Sequence, residues 1–324
     1  MKKVIIANIF IIIVFAFFLE LSANFFKLSN LKGIEPGLII TNGALHQMSP
    51  NNSGIHFGEK IYTDKFGFRV PSNKYFYKKK NNSIFIIGDS TTFGNGIPED
   101  RTFIGILRKS YSDINFYNSS VPGYNIRHYI ANINKVDDFD NVKKVFYFIT
   151  LNDIYGGQSI LDLAKKKNLE KLNHENISIK NISLINKFNA FFSSKSYFYM
   201  FLKGIVTDPS KRYFINIKKN YEKTDLNNMK NYVSMLNNKL KQENISLKIF
   251  ILPYEFQTRD CSKKNLIPQN KLNKMLDELK VNHKDFTESF CKYSNPKSLF
   301  YKFDPMHLSE KGHSLVFNLI KNEI

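Results

Sequence analysis

Four short strings in this sequence carry side chains whose chemistry is useful only if they meet. Gly88-Asp89-Ser90-Thr91-Thr92-Phe93-Gly94 follows an apolar run and sets a hydroxyl in a tight turn. There it lies near unpaired backbone N–H groups, as a nucleophile requires. Asp304-Pro305-Met306-His307 spaces a carboxylate three residues before an imidazole. On one loop the carboxylate accepts from one ring nitrogen and leaves the other facing a nucleophile, the orientation of a general base. Asn152, within Thr150-Leu151-Asn152-Asp153, carries a carboxamide that can donate to a developing oxyanion without titrating. Gly123, within Val121-Pro122-Gly123-Tyr124, offers a backbone N–H with no side chain to block approach. Each string also has a plainer reading. Gly-Asp-Ser is an ordinary turn, Asn152 a helix N-cap, Gly123 a loop glycine, and His307 a surface residue at a helix start. No G-x-S-x-G surrounds Ser90, so the nucleophile elbow of α/β-hydrolases is not the frame. His313 falls inside the last helix and reads as structural.

The elements that must position these residues are legible as apolar runs. Residues 83–87, 115–118, 144–149, 246–253 and 283–286 read as strands, and continuous apolar runs suit strands buried on both faces of a parallel sheet. Residues 101–111, residues 225–241 and the segment from Ser309 onward read as helices. Strands alternating with helices predict an α/β fold, a three-layer open parallel sheet with helices on both faces and right-handed crossovers. In such sheets functional residues sit at the carboxyl ends of the strands. Ser90, Gly123 and Asn152 each follow a predicted strand, so they and His307 should converge at one sheet edge, with His307 within hydrogen-bond reach of Ser90. Residues 155–224 break the rhythm with Lys and Asn and with patches such as Tyr197-Phe198-Tyr199-Met200-Phe201, and read as a helical insertion near the site. A Gly/Asn/Pro-rich stretch up to about Pro71 reads as an irregular stalk, although Lys65-Phe66-Gly67-Phe68-Arg69 suggests an ordered lead-in.

Four such signals in this order resemble the SGNH (GDSL-like) hydrolase superfamily, whose blocks are Gly-Asp-Ser, a Gly, a Gly-x-Asn-Asp and an Asp-x-x-His. The resemblance runs from about Ser83 to the end, apart from the insertion, and implies a flavodoxin-like sheet. It implies Ser90 as nucleophile, His307 as base and Asp304 as its orienter. It also implies an oxyanion hole from the backbone N–H groups of Ser90 and Gly123 and the Asn152 side chain, with no metal or organic cofactor. Thr150 replaces the glycine of the third block, which puts the width of the crevice in doubt. The implied activity is that of a serine esterase or O-acyltransferase. Similarity to membrane-anchored bacterial members points to O-acetyl groups of an envelope polysaccharide. A lipolytic esterase acting on membrane lipids is the second reading, and a non-catalytic binding component working with envelope-assembly proteins the third.

The amino terminus and the charge bear on where such chemistry would happen. Lys2-Lys3 precede an apolar run from Val4 to Leu19, interrupted by Asn8 and followed by Glu20 and Leu21 to Phe26. As a helix the whole span from Val4 to Phe26 covers about 30 Å, enough to cross a hydrocarbon core. It reads as a single-pass anchor over residues 1–27, followed by a stalk and lead-in over 28–80 and the hydrolase domain over 81–324. The basic start favours an inner-membrane orientation with the domain on the periplasmic or extracytoplasmic side. A cleaved signal peptide is the alternative. The chain carries 47 Lys+Arg against 28 Asp+Glu, a net +19. Such a balance suits an anionic membrane surface or an acidic glycan; no nucleic-acid-binding motif accompanies it, so no nucleic-acid partner is expected. Cys261 and Cys291, the two cysteines, are either a disulfide, worth about 3–4 kcal/mol by loop closure, or two buried thiols.

Overall fold

Five strands form one parallel sheet in the computed structural model, which describes residues 2–42, 45–134, 136–154 and 179–324. The strands are β6 (Asn82–Ile87), β7 (Ile114–Asn118), β8 (Val142–Ile149), β9 (Ser246–Ile251) and β10 (His283–Asp285). Their spatial order is β10-β9-β8-β6-β7, and every neighbouring pair is parallel. Counting β6 as first, this is 2-1-3-4-5, the flavodoxin-like order. A crevice opens at the carboxyl ends where the winding reverses, between β6 and β8.

Both faces of the sheet are covered, which is why the runs are continuous rather than alternating. Phe85, Ile87, Val145, Tyr147 and Ile249 share a core with α4 (Ile126–Ile133), α8 (Asn227–Gln242) and α10 (Ile267–Glu278). Ile84, Ile86, Phe146, Phe148 and Phe250 face α3 (Phe103–Ser110), α11 (Thr287–Cys291) and α12 (Glu310–Ile320). Each fully buried phenylalanine contributes about 1.5–3 kcal/mol. Two helices start later than the sequence suggests. Thr102 Oγ1 accepts from Gly105 N at 3.0 Å, so α3 begins after a 3-10 turn at Glu99–Arg101. Leu226 takes a left-handed φ of 61°, so α8 begins at Asn227. Ser309 caps α12 by accepting from Gly312 N. A disulfide joins Cys261 to Cys291, the last residue of α11.

The segment from 28 to 80 corrects the expected irregular stalk. It forms a hairpin of β1 (Ile39–Asn42) and β2 (Leu45–Met48). It also forms a three-stranded antiparallel sheet of β3 (Ser53–His56), β4 (Glu59–Thr63) and β5 (Arg69–Val70). Its Gly and Asn residues are turn formers, not linker: Gly67 holds φ +80°, and a Cβ there would lie 2.4 Å from the Met48 carbonyl oxygen. Leu38, Met48, Ile61 and Phe68 bury themselves in the core of the large domain.

The amino-terminal helix α1 (Lys2–Phe25) is apolar all round and uncovered along most of its length, long enough to cross a membrane by length and composition. Residues 155–178 of the expected insertion lie outside the described residues. The remainder is helical, as α5 (Ile179–Lys195), α6 (Tyr197–Thr207) and α7 (Pro209–Lys223).

Candidate active site

Ser90 opens the four-residue helix α2 (Ser90–Phe93) directly after β6. Two devices set that turn. Asp89 caps it, with Oδ1 accepting from Thr91 N at 2.9 Å. Beneath its other end lies Arg69, a fully buried guanidinium. Arg69 Nη1 donates to the carbonyls of Phe93 and Gly94, each at 2.7 Å, and Nη2 donates to Ile97 O at 2.5 Å. Burial lowers the Arg69 pKa to about 10, so it stays charged at neutral pH.

Asp304 and His307 come from the loop before α12. The His307 Nε2 lies 2.8 Å from Ser90 Oγ, and its Nδ1 lies 2.9 Å from Asp304 Oδ2. An ionised carboxylate only accepts, so Nδ1 carries the proton and Nε2 is left to accept from the serine hydroxyl. Asp304 Oδ1 accepts from the backbone N–H groups of Met306 and His307. Burial opposes ionisation of Asp304, but the His307 and Lys32 charges and the hydrogen bonds from His307 outweigh it and hold the carboxyl well below its usual range. Lys32 Nζ stands 3.6 Å from Asp304 Oδ2.

Asn152 sits in the 3-10 turn after β8, buried. Its Oδ1 lies 2.7 Å from Thr150 Oγ1 and 2.8 Å from the Tyr254 hydroxyl, both of which can donate to it. That fixes the amide with Nδ2 turned toward Asp89 Oδ2, at 3.4 Å. Thr150 Oγ1 is also 2.8 Å from Asp89 Oδ2, so its single proton ties the β6 turn to the β8 turn. The Thr150 side chain is buried, and its hydroxyl enters this network. Below it Asp153 accepts from the hydroxyls of Tyr129 and Tyr147 and from Thr150 N. Burial pushes both Asp89 and Asp153 above the usual carboxyl range, and the nearby Asp89 charge raises Asp153 further.

Gly123 lies on the loop after β7, which is tied to the β6 edge by Ser119 N to Ile86 O and Val121 N to Gly88 O. It takes φ +82°, and a Cβ there would approach the His46 ring at 3.5 Å. Neither the Ser90 nor the Gly123 backbone N–H donates to a protein group among the described residues. The structure thus brings Ser90, Asp304 and His307 into one hydrogen-bonded row, links Asn152 to it through Asp89, and sets Gly123 on the adjoining loop. His313 is buried elsewhere, stacked on Phe103 and accepting from Phe103 N.

Four residues here escaped the sequence reading. Asn95 Nδ2 lies 3.3 Å from His307 Nε2, and Phe57, in the β3–β4 turn, packs its ring 5.8 Å from that of His307. Tyr254 was the most accessible of them, because it follows β9 at the same sheet edge. Lys32 gave no signal at all.

The chain is similar in structure to proteins of the G-D-S-L lipolytic type. One is a member of that family from Veillonella parvula DSM 2008, at 15% identity, with 74% of this chain and 97% of that chain covered and a TM-score of 0.42. A second is a G-D-S-L family protein from Desulfitobacterium hafniense DCB-2, at 12% identity, 76% and 100% coverage and a TM-score of 0.41. A third is an acetyl xylan esterase from Geobacillus stearothermophilus, at 12% identity, 75% and 94% coverage and a TM-score of 0.41. No family model and no curated protein matches the sequence.

Proposed function

We propose that this chain is a serine-dependent acyl-ester hydrolase or acyltransferase, tethered to a membrane by α1, whose substrate is an O-acetylated envelope polysaccharide. One observation carries the reading: Ser90 Oγ, His307 and Asp304 form a continuous row at 2.8 and 2.9 Å. In the reaction Ser90 Oγ attacks the ester carbonyl while His307 Nε2 takes its proton. In this reading the negative oxygen is met by the Ser90 and Gly123 backbone N–H groups and by the second Nδ2 proton of Asn152, donors that act on charge present only in the tetrahedral state. As that state collapses, His307 returns the proton to the departing alcohol. Water or a second alcohol then repeats the sequence on the acyl-serine. Asp304 stays ionised throughout and steadies the imidazolium.

The glycan substrate is favoured by the net +19 charge, which suits an acidic polymer, and by a tether that holds the domain at a cell surface. A membrane-lipid ester is the second reading, favoured by exposed Leu184, Phe188 and Phe191 on α5. The test is the mass of the full chain after incubation with an activated acetyl ester, for wild type and Ser90→Ala. A covalent acetyl adduct present in the first and missing from the second is expected. Equal labelling of the two, or none in either, would return the chain to a binding role.

A further inference from the structure

The end of α1 is built into the insertion. Glu20 stands where the apolar run of α1 gives out, and its carboxylate caps α6. Oε1 accepts from Tyr197 N at 2.6 Å, and Oε2 accepts from Ser196 Oγ at 2.6 Å and Phe198 N at 3.2 Å. An anion on the first free N–H groups of a helix is a favourable pairing, strongest where water is scarce. Two further bonds hold the same junction: Ser29 Oγ to Tyr197 O, and Lys32 N to Ser193 O. Helices α5 and α6 pack on each other through Phe188, Phe192 and Tyr199, forming a hairpin.

One face of this hairpin turns inward, where Gly204 meets Phe303. The other is uncovered. Leu184, Phe188 and Phe191 recur at helical spacing on α5, as do Leu202, Ile205 and Val206 on α6, all between 45% and 83% exposed. A contiguous apolar surface of this kind is uncommon on a protein bathed only in water. The segment is also basic: residues 184–212 contain Lys187, Lys195, Lys203, Lys211 and Arg212 against one acid, Asp208, which is paired with Arg259.

We propose that the α5–α6 hairpin is seated in the surface of a lipid bilayer, its apolar face among the outer acyl segments and its basic border among anionic headgroups. The inference goes beyond the chemistry of Ser90, and extends the tethered reading from one helix to a surface. Three observations select lipid as the occupant. The turn between α5 and α6 is tied to Glu20, where α1 would reach the membrane surface. The apolar face adjoins a helix that is itself uncovered. An interfacial helix pair with apolar residues on one side and Lys on its flanks fits headgroup depth. A second copy docked through the same face would bring the two basic borders together, which is unfavourable. The consequence is orientation: because α6 also supports Phe303, the loop of Asp304 and His307 is held at a fixed height above the bilayer rather than swinging on a stalk.

The sequence contains no tryptophan, which makes the test direct. Single variants Phe188→Trp, Val206→Trp, Phe10→Trp and Phe76→Trp of the full chain are reconstituted into phosphatidylcholine–phosphatidylglycerol vesicles with brominated acyl chains. The expected result is strong loss of tryptophan emission at positions 188 and 206, greatest with bromine near the headgroup end, and none at exposed position 76. Quenching at position 10 alone would overturn the hairpin proposal and leave the anchor standing. Quenching at 188 and 206 without position 10 would support the hairpin and sink the anchor. No bromine quenching anywhere would sink both. Positions 188 and 206 shielded from an aqueous quencher, untouched by bromine and dependent on protein concentration, would assign the face to a second copy and overturn the proposal.

Discussion

The Ser90 turn and the Asp304–His307 loop meet at one hydrogen bond but are held by different parts of the molecule. The turn is fixed from below, by the end of β6, by the Asp89 cap and by the Arg69 guanidinium against α2. All of these are buried groups of the sheet and its lead-in. The loop is fixed from outside. Phe303 rests on Gly204 of α6, and Ser210 Oγ of α7 donates to Asp304 O. Glu255 N, at the start of α9 (Glu255–Arg259), donates to Pro305 O, and Lys32 faces the Asp304 carboxylate. Ser90 on a rigid edge is thus paired with His307, whose placement depends on an insertion and on the residues after α1. Damage to the two supports should therefore read out differently.

The largest expected effect comes from the bond where the two regions meet. Ser90→Ala and His307→Ala should each lower acyl-ester turnover on the order of 10⁴-fold, and the double variant should cost about as much as either alone, because the pair acts as a unit. Steady-state kinetics on an activated acetyl ester measures this; losses that multiply would show the two residues working independently.

Support of the turn comes next. Arg69→Met leaves the carbonyls of Phe93 and Ile97 buried without a donor and that of Gly94 with only the Ile97 N–H, so it should destabilise the whole domain by about 3–5 kcal/mol. Denaturant unfolding of the detergent-solubilised chain reads it, and a loss under 1 kcal/mol would remove Arg69 from the foundations of the site.

Support of the loop should show in rate more than in stability. A Cβ at Gly204 would sit 2.2 Å from the Phe303 ring, so Gly204→Leu must displace the residue before Asp304. Misplacing a base by about 1 Å costs on the order of 10²-fold, so kcat should fall by that amount while the unfolding midpoint moves little. An unchanged kcat would mean the loop keeps its place without α6.

The smallest effect concerns pH. His56, beneath the Ser90 side and beside Phe93, has a pKa lowered to about 3, by burial first and by Arg69 and His307 after it. His313 is likewise lowered to about 3 by burial. Both stay neutral in the folded chain while their unfolded forms take up a proton near pH 6.5. Stability is thus fully present above about 6.5 and declines as pH falls toward 3. Between pH 7 and 5 each accounts for a loss on the order of 2 kcal/mol. His56→Phe, matching the ring packing, should flatten part of that slope; an unaltered slope would show that His56 is already charged or accessible.

The fold was legible because a strand buried on both faces is written as a largely apolar run, and the runs at β6, β8 and β9 mark the middle of the sheet. Ser90, Asn152, Asp304 and His307 were legible for a related reason: residues at strand ends and on one short loop are placed by local sequence. The 28–80 segment misled because Gly and Asn serve turns and linkers alike, and which one they serve depends on what Leu38, Met48 and Phe68 find to pack against.

What the sequence determined by itself was therefore local: an apolar amino-terminal helix, alternating strands and helices, and an Asp three residues before a His. Tertiary structure decided the rest. Thr150 became a tie to Asp89, Glu20 the cap of α6, and Lys32 the neighbour of Asp304. Each of these pairs joins residues far apart in the chain. Such a contact exists only after the sheet has closed and the insertion has packed, so no spacing in the sequence can carry it.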